Sequence, residues 1–254
     1  MPETLTVGSL FSGIGGLDLG LEWAGFETKW FCEIEPFPQK VLKKHWSEVP
    51  IYNDVRQITT DTVIPVDVIV GGFPCQDISV AGRQAGIYAE RSGLWSEMAR
   101  IIRIFRPRYT IIENVANLVG FGLERVLADL AEMGRDASWA VIPASAVGAD
   151  HRRDRVFIVS WFADDRSDRV QGCKQKPFPW LSALQGNENG RGIAKWPNRS
   201  KSNIDPFRRG SDGLSTRLYE SRIRGLGNAV VPQVGYLVGR AVMEHFLENG
   251  GRDA

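Results

Sequence analysis

The 254-residue chain has little of the chemistry that marks many functional classes. It carries three cysteines and three histidines. Cys32, Cys75 and Cys173 are odd in number and widely spaced. That pattern excludes a disulfide framework, offers no zinc spacing and fits a reducing compartment, so no metal site and a cytoplasmic location are expected. Long apolar runs are missing: none approaches the roughly 20 residues needed to cross a bilayer. The first residues, Met1 to Val7, lack the basic start and apolar stretch of a leader peptide. Internal repeats are absent too. Hydrophobic residues make up 43% and charged residues 24%, proportions that exclude disorder and coiled coil. At roughly 100–200 residues per domain, the length allows one large domain, or one with a smaller companion.

Net charge is also nearly absent, at +1. Its distribution is uneven. Between Arg166 and Arg224 there are thirteen basic residues and five acidic ones, a local excess of +8, which leaves −7 on the remainder. A neutral total therefore conceals a basic segment attached to an acidic body. Phe178, Trp180, Trp196 and Phe207 are interleaved with the basic residues. Basic side chains with intervening aromatics suit phosphate contacts combined with base stacking or groove packing.

Over the first 160 residues the pattern alternates between strand and helix. Strands are predicted at Leu5–Phe11, Lys29–Cys32, Val66–Gly71, Tyr109–Ile112, Trp139–Ile142 and Val156–Trp161. Helices are predicted at Leu17–Trp23, Pro38–His45, Leu94–Phe105, Leu123–Met133 and, near the end, Gln233–Leu247. The strands are continuous apolar runs, which implies a largely parallel α/β sheet covered on both faces. Ligands of such sheets bind at the carboxyl ends of the strands. From 163 to about 216 the texture becomes Gly-, Asn-, Ser- and Arg-rich without a period. The expected division is a body formed by 1–162 and 222–254, with a small loop-rich region at 163–221.

Several motifs fall at predicted strand ends. Phe11-Ser-Gly-Ile-Gly-Gly follows the first strand and opens a helix. Glycines there let a ligand approach the backbone and the amides of the helix start, although a tight strand–helix turn reads equally well. The spacing departs from Gly-x-Gly-x-x-Gly, because position 18 is Asp18. Glu33 ends the second strand, where an acid either accepts from ribose hydroxyls or is a solvated strand-end carboxylate. Asp54 is either an acceptor or a turn residue. Gly71-Gly-Phe-Pro-Cys-Gln places Cys75 in a polar turn after a buried strand, a setting for a reactive thiol. Glu113-Asn114-Val115 ends another strand, so Glu113 would reach the same sheet edge as Cys75 if the two strands are adjacent. Arg153-Asp154-Arg155 precedes the next strand, where two guanidiniums either approach that edge or form a solvated strand end.

Taken in order with Gly227-Asn-Ala-Val-Val-Pro232, these motifs resemble the DNA (cytosine-5) methyltransferase family, over about residues 5–161 and 222–246. The resemblance implies a class I S-adenosylmethionine-dependent methyltransferase fold, Rossmann-like with a mostly parallel seven-stranded sheet. It implies methyl transfer from S-adenosyl-L-methionine to C5 of a cytosine flipped out of duplex DNA. It assigns Cys75 as nucleophile at C6, Glu113 as the acid that binds and protonates N3, and Arg155 as holder of the base carbonyl. Arg153 would lie beside Arg155 and next to the thiolate. For the cofactor it implies Phe11, Gly13, Gly15, Glu33 for ribose, Ile34 against adenine, Asp54 for the adenine amino group, Pro74, Leu94 near the methionine end, Asn228 and Val230. Ser79 to Arg91 matches a mobile loop that closes over DNA. A monomer, and a cognate restriction endonuclease in the same system, are consistent with bacterial or phage-encoded members.

The chain departs from the family pattern in three places. Asp150 and His151 occupy positions that usually hold Pro-Gln. The arginine- and leucine-rich buttress motif is reduced to Ser211-Asp-Gly-Leu-Ser. The variable region is short. Competing readings are a tRNA cytosine-5 methyltransferase on the same fold, a catalytically silent DNA-binding relative and, more remotely, a Rossmann dehydrogenase.

Overall fold

A computed structural model describes residues 4–74, 93–162, 178–180, 225 and 229–249. Its elements in chain order are β1 (Thr6–Leu10), α1 (Gly16–Trp23), β2 (Glu27–Cys32), α2 (Pro36–His45), β3 (Ile51–Tyr52), β4 (Val68–Gly71), α3 (Gly93–Phe105), β5 (Tyr109–Val115), α4 (Leu118–Phe121), α5 (Leu123–Glu132), β6 (Arg135–Ile142), β7 (Arg155–Phe162) and α6 (Pro232–Glu248). The strands form one seven-stranded sheet in the order β3-β2-β1-β4-β5-β7-β6. The neighbours from β3 to β5 are parallel, whereas β7 is antiparallel to both β5 and β6. The expected mostly parallel α/β sheet is therefore present, with its antiparallel part confined to one side.

Period-two alternation sends each strand's side chains to opposite faces, and both faces are covered. Val68, Val70, Ile111 and Val159 join Leu17, Leu21, Val238 and Val242 on the side of α1 and α6. Ile69, Ile112 and Ile158 join Met98, Ile102 and Leu130 on the side of α3 and α5. Leu10, Ile69, Ile101 and Ile112 are fully buried. Burying a side chain of this kind contributes about 1.5–3 kcal/mol, so the two layers supply the main drive for folding.

The helices α1 and α6 pack backbone against backbone. A Cβ at Gly16 would run into the Val230 carbonyl, and one at Gly20 into the Pro232 carbonyl. Glycine at both positions thus brings the C-terminal segment against the start of α1, next to the carboxyl end of β1.

Element boundaries differ from the sequence reading in an instructive way. β3 is only two residues long and gave no periodic signal. β5 continues through Val115, so Glu113 and Asn114 lie within the strand rather than beyond it. Their polarity masks the last residues of the strand. β6 starts at Arg135, because as an edge strand it alternates buried and exposed residues instead of forming one apolar run.

Of the loop-rich region expected at 163–221, only 178–180 lie among the described residues. Phe178 and Trp180 are buried. Phe178 stacks on Trp161 at 5.3 Å and lies 5.3 Å from His245, while Trp180 donates from its indole N–H to Ser138. The expectation that these two aromatics stack on or pack against nucleic acid is corrected: their faces are consumed by the body of the protein. Trp196 and Phe207 lie outside the described residues.

Candidate active site

The carboxyl ends of β1, β2, β4 and β5 surround a cavity of about 990 Å³. That is at the large end of small-molecule pockets. Phe11, Gly13, Glu33, Ile34, Asp54, Pro74, Leu94, Glu113, Arg155 and Val230 all contribute to its lining. Sequence-predicted residues from both ends of the chain thus converge. Gly15 and Arg153 lie outside the lining. Cys75 and Asn228 lie outside the described residues, as does the segment from Ser79 to Arg91.

The loop after β1 is bent into left-handed backbone. Phe11, Gly13 and Gly15 have φ of 53°, 55° and 79°. At Gly13 a Cβ would meet nothing within 4 Å, so open space faces the backbone there. Phe11 adopts the same conformation with a side chain, an outlier of the kind that accumulates at ligand sites. The loop is held from the next strand. The Gly13 amide donates to Glu33 Oε2 at 2.7 Å, and the Glu35 amide donates to Glu33 Oε1 at 2.8 Å. Burial pushes the Glu33 carboxyl above its usual range, against the lowering effect of these two amides. Each carboxylate oxygen retains an acceptor site, so the group can still receive two hydroxyls.

Asp54 has a more local role. It caps a short 3-10 turn, Val55–Gln57, by accepting from the Arg56 amide at 3.0 Å and from Arg56 Nε at 2.9 Å. The Arg56 side-chain hydrogen bond holds its carboxyl below the ordinary value. Ile34 is 63% exposed and presents an uncovered apolar surface to the cavity.

Glu113 is the acid at the centre of the site. It is 8% exposed, and burial raises its pKa to about 7 despite the opposing charges of Arg155 and Arg153. The Arg155 Nε lies 2.9 Å from Glu113 Oε1. Parallel pairing of β4 with β5 sets Gly71 beside Ile112, which brings Gly72 against the carboxylate. A Cβ at Gly72 would stand 2.5 Å from Glu113 Oε2. Gly72 therefore makes room for the acid, while Gly71 makes room for the Leu10 backbone of β1.

Two features of the site were not legible in the sequence. Asn114, buried at the end of β5, donates from Nδ2 to the Phe73 carbonyl at 3.0 Å and accepts from the Val115 amide. It ties β5 to the turn that leads to Cys75. Asp18, in the first turn of α1, is fully buried, and burial raises its pKa to about 7. Its Oδ1 has no hydrogen-bond partner among the described residues. The only hint in the sequence was an acid two residues after the glycine loop.

Arg153 reaches toward the C-terminal segment. Its NH2 group donates to the Ala229 carbonyl at 2.7 Å. Asp150 and His151 are exposed and do not line the cavity. Cys32, at the end of β2, is buried, and its thiol is pushed up to about 12 by burial and by the charges of Glu33 and Asp54. It is no source of thiolate near neutral pH.

The chain is similar to several known proteins. The chain is 35% identical over 174 residues to the type II methyltransferase M2.BsuMI of Bacillus subtilis, covering 65% of this chain and 44% of that protein. It is 35% identical over 174 residues to the type II methyltransferase M.CviJI of Paramecium bursaria Chlorella virus IL3A, covering 67% and 47%. The chain spans about half the length of the curated relatives it matches. Among solved structures, a putative DNA modification methyltransferase encoded within an Escherichia coli prophage superposes with a TM-score of 0.53 at 26% identity, covering 71% of this chain and 54% of that one. Residues 5–204 match the family described as C-5 cytosine-specific DNA methylase, and this chain belongs to that family.

Proposed function

We propose that this protein is a DNA cytosine-5 methyltransferase acting on a cytosine flipped out of duplex DNA, with S-adenosyl-L-methionine as its cofactor. The observation that carries the reading is Glu113, a buried acid with a pKa of about 7, set beside Arg155 and one strand from the turn that leads to Cys75.

The cavity suits the cofactor. Its volume accommodates a nucleoside with an amino-acid tail, the Glu33 carboxylate keeps acceptor sites for ribose hydroxyls, and Ile34 offers apolar surface for a purine. Phe11, Gly13, Gly15, Pro74, Leu94, Asn228 and Val230 complete the proposed set. Asp54 would accept from the adenine amino group alongside its bonds to Arg56. When bound, S-adenosyl-L-methionine supplies the methyl group.

Cytosine C5 is a poor nucleophile until C6 is attacked. The Cys75 thiolate forms an S–C6 bond, and the ring electrons move toward N3, which takes a proton from Glu113. The resulting enamine is nucleophilic at C5. Arg155 binds the base carbonyl oxygen and keeps Glu113 oriented. Once C5 carries the methyl group, the C5 proton passes to water, the C5–C6 double bond re-forms with expulsion of the Cys75 thiolate, and N3 returns its proton to Glu113. The basic stretch between Arg166 and Arg224 supplies phosphate contacts, which is where duplex DNA enters the reading.

The direct test is a duplex in which candidate cytosines are replaced by 5-fluorocytosine, incubated with the protein and S-adenosyl-L-methionine. Fluorine at C5 blocks the final elimination, so a covalent complex that survives denaturation and maps to Cys75 is expected. Absence of the adduct at a site the protein methylates would overturn covalent catalysis. Adduct formation with tRNA and not with duplex DNA would replace the proposed substrate.

A further inference from the structure

Arg153 stands between the two halves of the site. Its backbone is left-handed, with φ of 41°, a conformation that residues bearing a Cβ rarely adopt. It lies two residues before Arg155, whose guanidinium holds Glu113. Its own NH2 instead reaches 2.7 Å to the carbonyl of Ala229, a residue remote in the sequence. Ala229 and Val230 line the cavity, and the Val230 carbonyl is packed against Gly16 with no room for a side chain between them. The segment is thus gripped on one side by α1 and on the other by Arg153.

We propose that Arg153 is a positioning residue for the cofactor side of the cavity: it fixes the wall formed by Ala229 and Val230, rather than contacting the reacting base. This rests on the reading of the cavity as an S-adenosyl-L-methionine site. The bond is charge-assisted and partly buried, the kind whose loss is felt most. It also connects the two reactants' sites. The chain that carries Arg155 to Glu113 is the chain that carries Arg153 to the cofactor wall, so the acid and the wall are linked through the three residues Arg153 to Arg155.

The test measures binding of S-adenosylhomocysteine by calorimetry to the DNA-free protein, where no base is present. The Arg153→Met variant keeps the length and loses the donor. Its Kd is expected to rise about ten-fold or more. Arg153→Lys retains one N–H for the carbonyl and should recover most of the affinity. Thermal melts without ligand identify any loss of fold, and if Arg153→Met fails to fold, Arg153→Lys and Arg153→Gln carry the comparison. An unchanged Kd in folded Arg153→Met, or in Arg153→Gln where the Met variant does not fold, overturns the proposal, as does an unchanged Kd there with reduced turnover, which would return Arg153 to the base. If the wild-type protein itself does not bind S-adenosylhomocysteine, the cofactor reading fails first, and the proposal fails with it.

Discussion

The Arg155 guanidinium lies 2.9 Å from Glu113 Oε1, yet it does not bring the acid back to an ordinary carboxylate. Desolvation outweighs the ion pair, and the pKa remains at about 7. The pairing follows from topology. Antiparallel β7 places Arg155 opposite Val115, two residues beyond Glu113 on β5. An acid in this state is poised to donate a proton near neutral pH.

Glu113→Gln is expected to lower kcat by about 10²–10⁴-fold, the usual range for loss of a general acid. In the wild-type protein, kcat/KM should fall as pH rises through about 7, because the protonated acid is then lost. Rate profiles of the two proteins check this. A wild-type rate that does not fall on the alkaline side would count against Glu113 as proton donor.

Gly72→Ala tests the room made for that acid. Its Cβ would meet Glu113 Oε2 at 2.5 Å, which forces the carboxylate to move. Over-packing of this kind costs about 1–3 kcal/mol. Turnover should fall at least about ten-fold, because displacement of a positioned catalytic group is costly to rate. Steady-state kinetics and a thermal melt measure the two effects separately.

Asn114→Ala should leave the sheet intact but release the Phe73 carbonyl, which Asn114 holds at 3.0 Å. A lost buried hydrogen bond costs about 1–3 kcal/mol. If Asn114 aligns the Cys75 turn, the rate of 5-fluorocytosine adduct formation should fall more than cofactor affinity does. Equal losses in both would make the contact merely structural.

Asp18 gives a stability prediction with a definite sign. Its pKa rises from 3.8 to about 7 on folding, so the folded state binds the proton more tightly. Stability is therefore greatest at low pH within this window and declines as pH rises from about 4 toward 7, where the buried carboxyl ionises at a cost. Asp18→Asn removes the ionisation. Its melting temperature should exceed that of the wild type at pH 8, with the difference shrinking toward pH 5. A difference independent of pH would show that Asp18 does not titrate in this range.

The order of strands and helices could be read from the sequence because buried parallel strands are short apolar runs separated by amphipathic helices. The motifs Phe11–Gly16, Gly71–Gln76 and Glu113–Val115 were visible because glycines, a cysteine and acids interrupt those runs at strand ends. The two-residue β3 and the alternating edge strand β6 left weaker marks, since neither is a continuous apolar run.

What the sequence determined by itself was the fold class, the family and the candidate residues, because these depend on local pattern and motif order. Tertiary structure alone decided what those residues experience. It paired Arg155 with Glu113, turned Arg153 toward Ala229 and buried Phe178 and Trp180 in the body. Protonation and hydrogen bonding depend on desolvation and on partners contributed by distant parts of the chain, so they arise only when the sheet is assembled.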